Sequence, residues 1–141
     1  MELSGFMWVA IVEGEIVGFA GLSLPSDDFV YLHTDLISPR FQGLGLGTAL
    51  TFTRFAALAE DPIHGIGVLA TEHSNSFYRR FGFDLEAEPQ LDPMAGYHIH
   101  RMSREYTPVL GQSADSLLAG LNRVTFDTAD PEDPFAEEPC G

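Results

Sequence analysis

The sequence predicts an α+β fold, in which helices pack on a mixed, mostly antiparallel sheet with elements in the order βββαβαββ. Three β-rich runs follow one another in the first part of the chain, and a long apolar helical pattern comes after them. That helix connects two strands, and such a connection forms a parallel pair through a right-handed crossover. With 141 residues, of which 45% are hydrophobic, the chain has the size and composition of one globular domain.

The first three strands are predicted at residues 6–12, 15–24 and 29–38. Glu13 and Gly14 separate the first two runs, which indicates a tight hairpin. Pro39 ends the third run. The chain therefore starts as an antiparallel meander.

Two helices and three further strands complete the predicted order. Leu50, Phe55 and Leu58 are among the apolar residues of the stretch 47–59, which predicts a helix largely buried against the sheet. The remaining elements are a buried strand at 66–71, a short helix at 74–81 that Gly82 stops, and strands at 83–88 and 96–102 with a loop at 89–95.

Residues beyond Met102 carry weaker signals. A Ser113 cap predicts one short helix at 113–122, and residues 123–127 are typical of an edge strand. The end of the chain is acidic and rich in proline, which predicts disorder. The predicted organisation is a domain at 1–104, an extension at 105–127 and a disordered tail at 128–141.

The chain is strongly acidic. Its net charge is −14, all seven basic residues are arginine, and residues 1–104 and 105–141 each carry −7. An acidic surface repels phosphate backbones, so nucleic acid is excluded as a partner and a cationic small molecule or basic peptide is favoured. The alternative is that the charge serves solubility alone.

The cysteine count and the start of the sequence predict a cytoplasmic protein. Cys140 is the single cysteine, which excludes an internal disulfide and a cysteine metal cluster. The apolar run at 6–12 is too short for a signal peptide or a membrane span. His98 and His100 share one strand face without an evident third ligand, so no metal site is predicted.

Three glycines stand at alternate positions where the third strand meets the first helix. Gly43, Gly45 and Gly47 allow a sharp turn and a close approach of the backbone to a ligand. The free N–H groups of such a loop and of the first helical turn converge on an anion. A P-loop would require a lysine, and a Rossmann fingerprint would require a different glycine spacing, so neither motif fits.

The loop resembles the signature of the GNAT superfamily of acyl-CoA-dependent N-acetyltransferases. That signature is Gln or Arg, two residues, Gly, one residue, then Gly or Ala, and residues 42–47 fit it, with Ile37 and Pro39 at the family's apolar and proline positions. A second family mark, an aromatic-Tyr pair leading into a Gly-aromatic pair, is present as FYRRFGF at 77–83. The resemblance covers about residues 5–102 and implies a V-shaped splay between the strands that flank the main helix.

The resemblance also implies that acetyl-CoA binds as co-substrate, without a metal. The backbone N–H groups of residues 43–48 would hold its pyrophosphate, and the backbone of 35–37 would pair with the pantetheine amides like an added strand. The cofactor-binding residues predicted on this basis are Leu36, Ile37, Gln42, Gly43, Leu44, Gly45, Leu46, Gly47 and Thr48.

Two residues are candidates for acid–base catalysis. Tyr78 occupies the position of the family's tyrosine that protonates the CoA sulfur, and a phenol with a pKa of about 10 suits a basic leaving thiolate. His33 lies nine residues before Gln42, where several family members keep a Glu or His that takes the proton of the ammonium substrate. The alternative for His33 is a partly exposed strand histidine.

Two further residues are predicted to contact the acceptor. Strand alternation places Tyr31, His33, Asp35 and Ile37 on one face of the third strand, which makes Tyr31 and Asp35 candidates for substrate binding. Asp35 is unusual, because the family more often has an apolar residue there. Three roles stay open for it: binding a cationic acceptor, pairing with His33, or lying at the sheet edge.

The chain departs from the family near its start. The family normally has a strand and two helices before the first hairpin, whereas five residues precede the run 6–12. Residues 106–127, from the same chain or from the partner subunit of a homodimer, are predicted to cover the sheet edge that those elements would occupy.

The predicted function is an N-acetyltransferase that transfers the acetyl group of acetyl-CoA to a primary amine of a small molecule or protein, by direct attack in a ternary complex. One alternative is a CoA-binding or regulatory module with reduced catalysis. Another is a fragment whose partner half lies in another chain or was lost.

Overall fold

The computed structural model describes residues 5–23, 28–118 and 124–129. The strands are β1 (Gly5–Val12), β2 (Glu15–Ser23), β3 (Phe29–Ile37), β4 (Gly65–Ala70), β5 (Asp84–Leu85), β6 (Gln90–Asp92), β7 (Tyr97–Glu105) and β8 (Val124–Ala129). The helices are α1 (Leu46–Ala57), α2 (Glu72–Arg79) and α3 (Pro108–Leu118), and a 3₁₀ turn lies at Pro39–Phe41. None of the described helices is both long enough and apolar enough to cross a membrane.

The strands form a mixed sheet in the order β5-β7-β4-β3-β2-β1-β8, with β6 paired to β7. β3 and β4 pair in parallel around α1, and the other described pairs are antiparallel. This arrangement confirms the predicted α+β class.

One face of the sheet packs against α1 and α2 and forms the core. Leu22 and Leu32 of the sheet and Leu50 and Phe55 of α1 belong to one buried cluster. Phe55 is fully buried and its ring contacts the rings of Phe52, Phe81, Phe83 and Tyr106. Burial of each such side chain stabilises the fold by about 1.5–3 kcal/mol.

β3 and β4 separate before either strand ends, as the sequence resemblance predicted. Their parallel register ends at Leu32 and Val68, although β3 continues to Ile37 and β4 continues to Ala70. A V-shaped gap therefore opens between the two strands.

A β-bulge in β3 changes which residues share a face. The register with β2 shifts just before Gly21, and Thr34 has a φ of +54°. The extra residue of a bulge breaks the period-two alternation. The predicted common face of Tyr31, His33 and Asp35 is therefore wrong, because Asp35 turns toward α1 and α2 while the ring of His33 lies on Gly21.

α2 begins at Glu72, before the predicted start at residue 74. Thr71 caps the helix, because its side chain accepts a hydrogen bond from the Ser74 N–H while the Ser74 hydroxyl accepts one from the Thr71 N–H. This capping box fixes the first turn of the helix that carries Tyr78.

The predicted loop at 89–95 contains β6, and the predicted strand at 83–88 shortens to β5. β6 forms a hairpin with β7. The turn between them is stabilised by the Asp92 carboxylate, which accepts a hydrogen bond from the Met94 N–H at 2.9 Å, and it ends at Gly96, which has a φ of +82°.

The C-terminal extension packs on α1 and pairs with the sheet. α3 begins at Pro108, earlier than the predicted start at Ser113, and a Cβ built on Gly111 would lie 2.8 Å from the Phe55 carbonyl oxygen. β8 pairs with β1 and is one of the two edge strands in the order of the described sheet. Residues 119–123 and 130–141, which include the end of the predicted helix and most of the predicted tail, lie outside the described residues.

Candidate active site

Two cavities meet in the gap between β3 and β4. The first has a volume of about 200 Å³ and lies between the end of β3, α1 and α2. The second has a volume of about 350 Å³ and lies between β3, β4 and the start of α2. Asp35, Ser74 and Tyr78 line both cavities, so these residues mark their junction.

The loop between β3 and α1 exposes its backbone. Gly43 and Gly45 have φ angles of +78° and +89°, and a Cβ built on either residue would meet no atom within 4 Å. Gly45 is the N-cap of α1, so the first helical turn offers N–H groups without intrahelical acceptors. The Gln42 side-chain amide donates to the Ile37 carbonyl oxygen at 3.0 Å, which ties this loop to the end of β3. Such a helix N-terminus favours an anion.

A hydrogen-bonded cluster of three side chains occupies the junction of the cavities. The Tyr78 hydroxyl donates to Asp35 Oδ2, and Arg54 Nη1 lies 2.6 Å from Asp35 Oδ1. Arg54 also donates to the Gly21 carbonyl oxygen at 3.0 Å and to the Leu50 carbonyl oxygen at 3.3 Å. Each of the two carboxylate oxygens of Asp35 is therefore held by a different partner.

Burial differs strongly within this cluster. The Arg54 side chain is 1% exposed, whereas the Asp35 side chain is 29% exposed and reaches solvent through the gap. Tyr78 is buried. Burial, and then the negative charge and hydrogen bond of Asp35, raise the pKa of Tyr78 well above its ordinary value, while Arg54 opposes that shift.

His33 and Tyr31 line the second cavity. The His33 ring lies directly on Gly21, and its Nδ1 is 2.8 Å from the Thr34 hydroxyl. Burial, followed by the positive charge of Arg54, lowers the pKa of His33, and Asp35 raises it by a smaller amount. The lowered pKa favours the neutral imidazole at neutral pH, the form that can accept a proton.

The predicted CoA-binding residues fall into three places. Leu36, Ile37 and Gly47 line the first cavity. Gln42, Gly43, Leu44, Gly45 and Leu46 form the loop and the start of α1. Thr48 instead lines a third cavity of about 620 Å³, between α1, the end of α2 and β7.

Sequence reasoning missed Arg54 and Ser74 as residues of the site. Arg54 carried a signal, because it is the only charged residue in the apolar stretch 47–59. A lone arginine on the buried side of a helix requires a partner. Asp35, which is that partner, lies in a different element, and no local pattern connects the two residues.

A family model and several solved structures are similar to this chain. Residues 1–105 match the family model described as an acetyltransferase (GNAT) domain. No curated protein sequence matches the chain.

Solved structures share the fold at low sequence identity. A putative N-acetyltransferase from Lactobacillus plantarum superposes with a TM-score of 0.61 at 14% identity, over 67% of this chain and 63% of that one. The ribosomal-protein-S18-alanine N-acetyltransferase from Escherichia coli superposes with a TM-score of 0.59 at 17% identity, over 71% of this chain and 70% of that one. An aminoglycoside 6′-N-acetyltransferase complexed with coenzyme A superposes with a TM-score of 0.61 at 15% identity, over 72% of this chain and 74% of that one. The chain thus spans less than two thirds of the first of these proteins.

Proposed function

The chain belongs to the GNAT acetyltransferase family, and on that premise we propose that it transfers the acetyl group of acetyl-CoA to a primary amine of a small molecule or protein. The amine attacks the thioester directly in a ternary complex. The observation that carries this proposal is the position of Tyr78 at the junction of the two cavities, the first of which is also lined by Gly47 of the glycine motif.

The residues around the first cavity fit acetyl-CoA. The N–H groups of residues 43–48 meet the pyrophosphate, because the glycines keep side chains away from that face of the loop. Beyond Leu32, β3 has left β4, so its backbone at 35–37 is available for the pantetheine amides to pair with as an added strand. Leu36, Ile37 and Leu50 give the cavity apolar walls for the pantetheine arm.

The second cavity takes the acceptor amine. Asp35 and Tyr31 contact the acceptor there, and the acidic chain favours a cationic one. His33 removes the proton of the ammonium group, directly or through water, and Tyr78 protonates the departing thiolate. A cytoplasmic location and a homodimer remain predictions from the sequence.

Titration with acetyl-CoA and an acetylation assay on the same sample test this proposal. The amine panel includes polyamines, an aminoglycoside and a peptide with an N-terminal alanine. The aminoglycoside and the peptide are chosen because the names of two structural neighbours specify an aminoglycoside and an alanine as acceptors. Acetylation of at least one amine is expected. Tight CoA binding without acetylation of any amine would instead favour a CoA-binding module.

Replacing Gly45 by alanine is expected to raise the Kd for CoA roughly tenfold. Gly45 has a left-handed φ, and a non-glycine residue in that region is strained by about 1–2 kcal/mol. We expect the loop to relax this strain by moving its N–H groups away from the ligand, and the same free energy lost from binding is about tenfold in Kd. Gly14→Ala is the matched control, because Gly14 has a φ of +83° and open space around its Cβ position, but lies in the β1–β2 hairpin. Equal Kd values for the two variants, measured by calorimetry, would contradict the role of the loop.

Replacing His33 by glutamine is expected to lower kcat about 100-fold at neutral pH, the low end of the range for a general base. In the unmodified protein kcat falls as pH drops through the pKa of His33, which lies below the ordinary 6.5. The variant should lose this decrease. His64→Gln serves as the control, because His64 is 82% exposed and contacts Asp28 away from both cavities. An unchanged pH profile in His33→Gln would remove His33 from the mechanism.

A further inference from the structure

The hydrogen bond from Tyr78 to Asp35 bears directly on how the leaving thiolate obtains its proton. The Tyr78 hydroxyl is buried and its proton points at a carboxylate, not at open space. If Tyr78 simply released this proton, a phenolate would lie beside the Asp35 carboxylate, and within the part of the chain that the structure describes Arg54 is the one cation paired with that carboxylate. Two adjacent anions in a buried site are costly, so transfer from Tyr78 alone is unfavourable.

Asp35 has the geometry to remove this difficulty. Arg54 fixes Oδ1 at 2.6 Å, which leaves Oδ2 in contact with the Tyr78 hydroxyl. The carboxylate is 29% exposed and lines both cavities, so a nitrogen atom in the second cavity can reach it. The Asp35 carboxylate therefore lies between the cavity proposed for the attacking amine and the Tyr78 hydroxyl proposed to protonate the leaving thiolate.

We propose that Asp35 and Tyr78 form a proton relay that carries a proton from the nitrogen of the tetrahedral intermediate to the sulfur of the leaving thiolate. This inference rests on the proposed function. Asp35 is thereby a catalytic residue of the reaction, and its carboxylate, absent from the usual family pattern, has a chemical role there.

The atoms and charges balance in this step. His33 takes the first proton of the ammonium, and the neutral amine then forms a C–N bond to the acetyl carbon. As the C–S bond breaks, the nitrogen gives its second proton to Asp35 Oδ2, the oxygen that accepts from Tyr78 in the structure. The Tyr78 O–H then turns from Asp35 to the sulfur and gives its proton there, and the protonated Oδ2 passes its proton on to the Tyr78 oxygen. The products are the amide and the free thiol, and Asp35 and Tyr78 return to their starting states without a free phenolate.

A double-mutant cycle on the single-turnover rate tests the relay, with saturating acetyl-CoA and an amine that the unmodified protein acetylates. Tyr78→Phe and Asp35→Asn are each expected to lower the rate about 1,000-fold. Because both residues move the same proton, the double variant should stay within about threefold of the slower single variant. Losses that multiply, or an Asp35→Asn variant with the unmodified rate, would overturn the relay.

His33→Gln is the internal control for this cycle. His33 acts on a different proton, so its loss should multiply with that of Tyr78→Phe. A His33→Gln loss that fails to multiply would mean that all three residues act in one step, which contradicts the separate relay.

A second measurement does not depend on the folding of Asp35→Asn. The single-turnover rate of the unmodified protein is measured in mixtures of H₂O and D₂O. Several protons moving in one step give a curved dependence on the deuterium fraction, and a straight line would overturn the relay. If the unmodified protein binds acetyl-CoA and acetylates no amine, the proposed function fails and the relay fails with it; multiplying losses in an active protein would remove the relay alone.

Discussion

Replacing Tyr78 by phenylalanine is expected to lower kcat about 1,000-fold and to leave the Kd for acetyl-CoA unchanged. The phenylalanine ring keeps the edge contacts with Phe77 and Phe83, so the α2 side of the first cavity keeps its shape. Only the hydroxyl that faces Asp35 is lost. Steady-state kinetics and a binding titration separate the two effects, and an unchanged kcat would remove Tyr78 from the mechanism.

Tyr106→Phe is the matched control for this variant. Tyr106 is as buried as Tyr78, and its hydroxyl donates to the Phe55 carbonyl oxygen at 2.6 Å. Burial, and then the charge of Asp61, raise its pKa to about 12. It lines none of the three cavities described above, so its variant should lose about 1 kcal/mol of stability and keep its kcat.

Replacing Asp35 by alanine is expected to lower the free energy of unfolding by about 3 kcal/mol. The variant leaves the Arg54 charge buried with neutral partners, the carbonyl oxygens of Gly21 and Leu50. Breaking a buried ion pair costs about 3–5 kcal/mol, and the partial exposure of Asp35 places the expected loss at the lower end of that range. The expected loss is large beside the total stability of a single domain.

A double variant separates the buried charge from other effects of the substitution. Asp35→Ala with Arg54→Met removes both charges and keeps an apolar side chain of similar length, so it should recover most of the lost stability. Urea unfolding of the two variants measures the difference. A double variant less stable than Asp35→Ala would show that Arg54 stabilises the fold through its other contacts.

The part of the site that lies in short, contiguous motifs was predictable from the sequence. The glycine loop at 42–47 and Tyr78 in the segment 77–83 depend on local spacing. Of these residues, Gly47 and Tyr78 line the first cavity, and Gly45 is the N-cap of α1. The mixed sheet was predictable because alternating and helical apolar patterns determine the element types.

The part that depends on contacts between distant elements was not predictable. A bulge at Thr34 turned Asp35 away from His33, and strand alternation gives no sign of a bulge. The ion pair with Arg54 forms only after α1 has packed on the sheet. The roles of the predicted site residues stay predictions until the variants are measured.

The pairing of β1 with β8 sets the order in which the sheet is completed during synthesis. A chain leaves the ribosome with its N-terminal end first, so β1 emerges long before its partner. Until β8 arrives, the outer edge of β1 offers unpaired N–H and C=O groups to any other strand. The pairing of β8 with β1 brings together residues near the two ends of the described chain. Strands so far apart in sequence pair slowly, because a long loop must close first. Residues 1–105 contain every candidate site residue and are therefore synthesised before β8 is available to pair with β1.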